Sequence, residues 1–462
     1  MRIEEDYLGK LKIDEKAYYG IHTKRASENF KLNYRKVHPE LIQALGMVKK
    51  AAVITNKELG FLQNEKADAI IQACEEIIEG KFNDQFIVDS LQGGAGTSFN
   101  MNMNEVIANR ALEILGKEKG EYNIIHPIED VNLHQSTNDV YPTAIKIAII
   151  YLLRKLADAI STLQRSFQDK EKEFSDIIKL GRTELQDAVP LTVGREFSAY
   201  SEAIARDRWR VFKCEERLRV VNIGGTAIGT GATAPRKYIF MVIEKLREIT
   251  SLGIARAENL IDATQNQDPF VEVSGILKAH SSNLFKIAND LRLLSSGPTA
   301  GLNELILPAL QSGSSIMPAK FNPVIPEMVQ QIAIKTIAND LIITEVVKNG
   351  NLELNQFLPL LADSLIETLK LLIQTNILFK EKCIDGIKVN KEKVNNYVIN
   401  SYEIVTLFLP KLGYKKCSDI VKLSKEKNKS VIDTIKELNL LTEKEINEIL
   451  SPENILSLGY KI

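Results

Sequence analysis

The sequence has few of the residues that build metal or redox centres: four cysteines and five histidines in 462 residues. The cysteines are scattered and form no CxxC pair, which argues against zinc or disulfide chemistry and predicts buried, reduced thiols. The histidines show no HExxH or other ligand spacing. These cysteines and histidines are Cys74, Cys214, Cys383, Cys417, His22, His38, His126, His134 and His280. We therefore expect no metal site.

Long apolar runs and excess charge of one sign are also missing. No stretch has the length of uncharged sequence that crosses a bilayer, and the first residues carry no secretory signal. The 59 basic and 60 acidic residues nearly cancel, which gives no electrostatic reason to expect nucleic acid or an anionic membrane. The glycine run 224–231 lacks the surrounding βαβ unit of a dinucleotide site. The sequence predicts a soluble, cytoplasmic protein.

Helical periodicity is abundant. Apolar residues recur at three- and four-residue steps from Ile145 to Leu163 and from Leu358 to Leu372, and further helical patterns lie near 40–59, 190–220, 234–251, 273–294 and 325–347. Long helices with apolar stripes pack as bundles. We predict a mainly α protein in three parts: a mixed segment 1–139, a long central helical bundle 140–388 and a small helical segment 389–462. In the last part, Thr442 and Glu445 have the spacing of a capping box.

The most informative stretch is residues Gly313–Pro323, which we call the signature loop. It combines Gly313, two adjacent hydroxyls at Ser314 and Ser315, the Lys320 ammonium and the Asn322 amide between prolines, so it is not a periodic element. Exposed amides, hydroxyls and one ammonium suit an anion, and a serine in such a loop can act as nucleophile or base. Composition alone favours a polar surface loop over a ligand site.

Three further polar clusters interrupt the helical patterns. They are residues 93–105, residues 134–139 just before the Ile145 helix, and residues 181–188 just before the Pro190 helix. The last two are expected at helix N-termini, where free N–H groups face a bound anion. Each cluster taken singly is explained by N-capping. Taken together with the signature loop, the four clusters predict a pocket for a small polyanion, most simply a dicarboxylate.

These motifs are similar to those of the aspartase/fumarase superfamily. Besides the signature loop, the resemblance rests on Asp6-Tyr7-Leu8-Gly9, Gly94-Ala95-Gly96-Thr97-Ser98, Gln135-Ser136-Thr137-Asn138-Asp139 and the segment from Leu291 to Pro298. Gln-Ser-Thr-Asn-Asp favours the aspartate ammonia-lyase branch. The resemblance covers almost the whole chain. It implies the superfamily's three-part fold, with the bundle as the core of a homotetramer whose sites are shared between subunits.

The resemblance also implies a chemistry, the reversible elimination of ammonia from L-aspartate to give fumarate, with no cofactor. Ser314 would be the base that removes a proton next to the β-carboxylate. The resulting dianionic aci-carboxylate needs fixed donors, by resemblance Thr97, Ser136, Thr137 and Ser315. Other residues would bind the α-carboxylate, face the amino group or support the loop. They are Thr183, Lys320 and Asn322 for the carboxylate, Asn138 for the amino group, and Glu327 and Met317 as supporting residues.

Two positions depart from the family pattern. Glu184, which we also place among the substrate-binding residues, stands where many members have histidine, and Thr299 stands where arginine is usual. Both changes make the site less cationic. If Glu184 and Glu327 lie close together, they would titrate as a coupled pair. Three functions therefore stay open: aspartate ammonia-lyase, a fumarate-releasing lyase acting on another amine or on malate, and a non-catalytic protein on the same scaffold.

Overall fold

The computed structural model describes residues 1–457, 459 and 460. The protein is mainly α, as the sequence predicts, and its strands form short two-stranded pairs. None of the helices in the described residues combines the length and hydrophobicity needed to span a bilayer. The four cysteines are buried and unpaired, and burial raises the pKa of the Cys74 thiol to about 12. The prediction of buried, reduced thiols is confirmed.

The chain divides into two compact units, each built from discontinuous segments. Unit 1 contains Met1–Ala157, Arg210–Ala279 and Lys335–Leu372, and unit 2 contains Asp158–Trp209, His280–Ile334 and Ile373–Ile462. The sequential division at residues 139 and 388 stays a prediction. The long helices predicted from periodicity are all present, and they supply segments to both units.

The helices have the following bounds: α1 Ile21–Asn29, α2 Pro39–Glu58, α3 Asn64–Ile78, α4 Thr97–Ile114, α5 Thr137–Glu173, α6 Val193–Leu218, α7 Arg236–Thr250, α8 Leu260–Gln265, α9 Asp268–Leu294, α10 Val324–Lys348, α11 Leu358–Lys382, α12 Lys391–Asn400, α13 Leu409–Lys427, α14 Val431–Glu437, α15 Glu443–Ile449 and α16 Pro452–Leu456. The strands are β1 Arg2–Asp6, β2 Gly9–Ile13, β3 Ile178–Thr183, β4 Gln186–Thr192, β5 Val220–Val221, β6 Ala255–Arg256, β7 Leu305–Ile306 and β8 Lys388–Val389. The β5–β6 pair is parallel, whereas β1–β2, β3–β4 and β7–β8 are antiparallel.

The core of unit 1 surrounds α4. Its apolar face, including Phe99, Met103 and Val106, is fully buried. The helix is also anchored by a buried carboxylate, because Glu105 accepts hydrogen bonds from the backbone N–H groups of Gly20, His22 and Thr23 at 2.8–3.1 Å. These N–H groups are at the start of α1, where the helix has no partners of its own for them. Glu105 therefore fixes α1 to α4.

The C-terminal part of unit 2 has its own apolar cluster, in which Phe408, Ile420, Val431 and Ile446 are buried together. The predicted capping box is confirmed: Thr442 accepts from the backbone of Glu445, and the Glu445 carboxylate accepts from the backbone N–H of Thr442. The short, lysine-rich helices of this segment are therefore held by local caps and by one shared core.

Candidate active site

The signature loop lies in unit 2, between β7 and α10. Its ends are tied together by two hydrogen bonds: the Gly313 N–H donates to the Lys320 carbonyl at 2.7 Å, and the Asn322 amide donates to the Gly313 carbonyl at 2.8 Å. A Cβ on Gly313 would lie 2.6 Å from the Lys320 carbonyl oxygen. A larger residue than glycine therefore cannot close this loop without moving its backbone.

Ser314 is held by the backbone of its own loop. Its Oγ accepts from the N–H groups of Ile316 at 3.2 Å and Met317 at 3.0 Å. Two N–H donors on one hydroxyl oxygen stabilise negative charge on that oxygen more than they stabilise the neutral hydroxyl. Ser315, Met317 and Lys320 are exposed, and Ser314 is half-buried. The loop therefore holds the Ser314 hydroxyl oxygen with two backbone donors and leaves neighbouring polar side chains exposed.

The cluster at residues 181–188 is not at a helix N-terminus, and that prediction is wrong. It forms the tip of the β3–β4 hairpin, and α6 begins only at Val193. The two-residue turn is Glu184-Leu185, with positive φ values of 53° and 64°. The usual signal for such a turn is Asn-Gly or Asp-Gly, which this chain lacks here. Thr183 and Glu184 therefore lie at a hairpin tip in unit 2, where the Glu184 side chain is exposed.

The hairpin is anchored below its tip by a buried carboxylate. Glu304, 1% exposed, lies 2.9 Å from the Lys179 ammonium and 2.5 Å from the Arg182 guanidinium. Glu327 lies in the first turn of α10, and its carboxylate is 3.9 Å from Arg292. The hypothesis that Glu184 and Glu327 form a coupled pair stays a prediction.

In unit 1, residues 134–139 comprise the last three residues before α5 and the first three residues of that helix, and we call this segment the α5 entry loop. Unlike residues 181–188, this cluster does lie at the start of a long helix, as predicted. Asp139 closes it: its carboxylate accepts from the backbone N–H groups of Ser136, Gly224 and Thr226 at 2.9–3.1 Å. Burial raises the pKa of Asp139 to about 7, against the opposing effect of these donors. The glycine run 224–231 thus supports the entry loop.

Asn138 has a defined orientation in the entry loop. Its amide nitrogen donates to the Ala227 carbonyl at 2.7 Å. Because that hydrogen bond uses the NH2 end of the side chain, the oxygen end is left for a donor such as an ammonium group. The Ser136 Oγ accepts from the backbone N–H of Asn138 at 3.3 Å.

The first polar cluster, residues 93–105, was predicted to interrupt the helical pattern, but most of it is helical. From Thr97 onward it is the first part of α4, which follows Gly96 at φ 97°. Thr97 is exposed at the first residue of the helix, whereas Asn100, Asn102 and Asn104 are buried. Asparagine is a weak helix former, so sequence reasoning favoured a loop; buried hydrogen bonds made in the folded unit compensate.

A buried lysine that the sequence analysis did not single out connects these elements. Lys49, on α2, is 0% exposed and donates to the side-chain oxygens of Asn132 and Gln135, both at 2.9 Å. Burial lowers the pKa of Lys49 to about 7, and the charge of Asp139 opposes this shift. The only sequence signal was the pair Lys49-Lys50 inside the apolar run 44–54 of α2. The Asn100 amide donates to Thr137 Oγ1 at 3.0 Å, which joins α4 to the entry loop.

The candidate residues therefore fall into two sets, each described within its own unit. Unit 1 holds Thr97, Ser136, Thr137 and Asn138, and unit 2 holds Thr183, Glu184, Ser314, Ser315, Met317, Lys320, Asn322 and Glu327. Among the described residues, no group of three or more His, Cys, Asp or Glu side chains is arranged to hold a metal ion.

Comparison with known proteins identifies the family. Residues 9–337 match a lyase family, and residues 404–457 match the fumarase C C-terminal family. The chain belongs to this lyase family. It is 47% identical to an aspartate ammonia-lyase from a Bacillus species, over 98% of this chain and 97% of that protein. It is also 47% identical to aspartate ammonia-lyase from Escherichia coli K12, over 100% of this chain and 97% of that protein.

Solved structures agree with this assignment. A fumarate lyase:delta crystallin from Brucella melitensis, solved with cobalt, has a TM-score of 0.96 and 43% identity and covers 99% of this chain and 100% of its own. A class II fumarase from Schistosoma mansoni has a TM-score of 0.91 and 33% identity, with 98% of both chains covered. The resemblance of this lyase to the aspartase/fumarase superfamily, including its aspartate ammonia-lyase side, is confirmed.

Proposed function

We propose that this lyase eliminates ammonia reversibly from L-aspartate to give fumarate. The observation that carries the proposal is the combination of near-full-length identity to aspartate ammonia-lyases with a Ser314 Oγ that already accepts two backbone N–H groups. Ser314, as an alkoxide, takes the proton from C3 of aspartate. The electron pair moves into the β-carboxylate. It then returns to form the C2=C3 double bond of fumarate as the C2–N bond breaks and the ammonium group leaves as ammonia.

The carboxylates and the amino group are assigned to different donors. Thr97, Ser136, Thr137 and Ser315 bind the β-carboxylate and stabilise the aci-carboxylate. The α-carboxylate binds Thr183, Lys320 and Asn322, which fixes the substrate for proton removal. Asn138 accepts from the substrate ammonium, a role supported by the engagement of its NH2 with Ala227. Met317 and Glu327 support the signature loop and the start of α10.

The direct test is turnover by the purified full-length chain. We expect absorbance at the fumarate double bond to rise with L-aspartate and to fall with fumarate plus ammonia. Reaction of fumarate only with water or with other amines would replace the proposed function by its alternative. No reaction with any of these would favour a non-catalytic role.

The alternative, a fumarate-releasing lyase for another amine adduct or for malate, has one specific observation in its favour. Glu184 is exposed at the hairpin tip, and a carboxylate there would attract a second cationic group on a substrate. Thr299 removes a positive charge that the family pattern usually has.

We further infer that the protein is a homotetramer with its sites shared between subunits. One face of α10 carries Ile334, Ile337 and Leu341, spaced like the apolar side of a helix, and these side chains are 42–62% exposed. An exposed apolar stripe of this kind marks a contact surface. Sedimentation velocity should give four times the 51.8 kDa chain mass. The cytoplasmic location and the absence of a cofactor stay predictions.

A further inference from the structure

We propose that Asn100 is a positioning residue that makes the Thr137 hydroxyl an obligate donor to the substrate carboxylate, under the orienting influence of the buried Lys49 ammonium. This inference rests on the proposed function, because it assigns Thr137 to carboxylate binding. The role of Asn100 depends on the hydrogen bonds that join Lys49, Asn132, Gln135, Asn100 and Thr137. Some atoms in this set can only donate and others can only accept, which fixes the orientation of each amide.

The backbone fixes two amide side chains first. The Gln135 Nε2 donates to the carbonyls of Val131 and Leu133 at 3.0 and 3.2 Å, and the Asn132 Nδ2 donates to the Gln135 carbonyl at 3.2 Å. Carbonyl oxygens only accept, so both NH2 groups must face them. The oxygen ends of Asn132 and Gln135 are therefore the atoms turned toward Lys49, whose ammonium only donates.

The orientation of Asn132 fixes that of Asn100. Asn132 Oδ1 accepts not only from Lys49 but also from the amide nitrogens of Asn100 and Asn104, each at 3.2 Å. An oxygen of Asn100 in place of its nitrogen would face another oxygen in a buried site, which is strongly unfavourable. The NH2 group of Asn100 therefore points at Asn132, and its second hydrogen is directed to Thr137 Oγ1 at 3.0 Å.

The consequence falls on the Thr137 hydroxyl. Because its oxygen accepts from Asn100, its own hydrogen is directed to another acceptor. Thr137 as a whole is 8% exposed. Lys49 and Asn100 both donate to Asn132 Oδ1, so the ammonium helps to fix which end of the Asn100 amide faces Thr137. The hydrogen bond from Asn100 to Thr137 Oγ1 then makes the Thr137 hydroxyl a better donor. A carboxylate that binds there meets a hydroxyl already oriented, with no rotation needed during the reaction.

The sharpest variant is Asn100→Asp, which keeps the shape but replaces the NH2 donor with an acceptor. The Thr137 hydroxyl would then donate to the introduced carboxylate and turn its lone pairs to the substrate. We expect kcat/KM for aspartate to fall about 100-fold. Asn104→Ala controls for the loss of a buried amide, and it matches the Asn100→Ala variant: Asn104 lies on the same helix, is also buried and donates to the same Asn132 oxygen. It should keep kcat/KM within about threefold, because it acts on Asn132 and not on Thr137. An equal loss in both variants would overturn the proposal.

A double-mutant cycle separates positioning from general destabilisation. Asn100→Ala should lower kcat/KM about tenfold in the wild-type background but less than about twofold when Thr137 is already alanine, because its target is then absent. The same fold-loss in both backgrounds would show that Asn100 does not act through Thr137. Because KM does not depend on the fraction of folded enzyme, kcat and KM are compared separately and Tm is measured for each variant.

Failure of the proposed function can be recognised separately. If the wild-type chain does not convert aspartate, the same variants are compared by their calorimetric affinity for fumarate alone. Weaker fumarate binding in Asn100→Ala than in Asn104→Ala would support the positioning role without the ammonia-lyase reaction. Equal binding in both variants would contradict it.

Discussion

The donors at the start of α5 are held by buried side chains, whereas the signature loop is largely exposed and is held by its own backbone. In unit 1, Lys49, Asn100 and Asn132 form a hydrogen-bonded network in which Lys49 and Asn100 are buried. In unit 2, Ile316 is 83% exposed, and Ser314 is anchored by N–H groups two and three residues away. We infer that the hydroxyls that donate to the substrate carboxylate are already oriented before substrate binds. We also infer that Ser314 becomes an effective base only when the signature loop closes over substrate.

The largest expected effect is on the loop side of this comparison. Ser314→Ala should keep the fold and lower kcat about 1,000-fold or more, because the variant has no group to take the C3 proton. Steady-state kinetics and Tm would be measured together. Ser312→Ala is the control, since the Ser312 hydroxyl donates to the Ser314 carbonyl at 3.2 Å and does not contact the Ser314 hydroxyl; it should stay within a few-fold of wild type, as estimated for an exposed hydrogen bond. Retained turnover in Ser314→Ala would remove the assignment.

The closure of the loop by Gly313 can be tested next. Gly313→Ala adds a Cβ 2.6 Å from the Lys320 carbonyl oxygen and should shift the Ser314 cradle. We expect kcat/KM to fall about 100-fold with almost no change in Tm, because the loop adds little to the core. At Gly253 a Cβ would meet nothing nearer than 3.6 Å, so Gly253→Ala should leave both quantities nearly unchanged. A normal rate in Gly313→Ala would mean that the loop tolerates other backbone geometries.

The buried hydrogen-bonded network of unit 1 is tested through Glu105. Burial raises the pKa of the Glu105 carboxyl group from 4.5 to about 7. A raised carboxyl pKa means that the folded state takes up a proton between these values. The resulting stabilisation is present at low pH and is lost as the pH rises through 7. Glu105→Gln does not titrate, so the difference in unfolding free energy between this variant and wild type should shift in favour of the variant by about 2 kcal/mol from pH 5 to pH 7. Unfolding midpoints measured across this range would test it.

A control of opposite sign lies on the same helix. For Glu113, hydrogen bonds from Tyr18 and Arg110 outweigh the effect of burial and lower the carboxyl pKa. Glu113→Gln should therefore be less stable than wild type at pH 7. The difference in unfolding free energy should become smaller only as the pH is lowered into the range where Glu113 is protonated. If Glu105→Gln behaves in the same way, the carboxylate of Glu105 is ionised in the folded protein and its pKa is not raised.

The smallest effect concerns the hairpin tip. Glu184→Gln removes a negative charge from the proposed α-carboxylate region, so KM for aspartate should fall about three- to tenfold, the size expected for one exposed charge. Asp187→Asn, in the same hairpin, serves as the control and should change KM less. A rise in KM for Glu184→Gln would instead indicate that the carboxylate binds the substrate ammonium.

The positions of the long helices could be predicted from the sequence because apolar periodicity is a local signal. The special role of Gly313 was likewise visible, since the surrounding hydroxyls and prolines mark a turn. The β3–β4 hairpin was missed because Glu184-Leu185 carries none of the usual turn residues. The helical start of cluster 93–105 was missed because burial of Asn100 and Asn104 depends on partners far along the chain. Lys49 gave no local sign of its partners at 132 and 135.

Hydrogen exchange at C3 of aspartate tests the central claim most directly. In deuterated water, the wild-type chain should replace a C3 proton by deuterium as the reaction reverses, and proton NMR would follow it. Ser314→Ala should bind aspartate but leave the C3 protons in place over the same time. Exchange at the wild-type rate in Ser314→Ala would contradict the account, because another group would then be removing the proton.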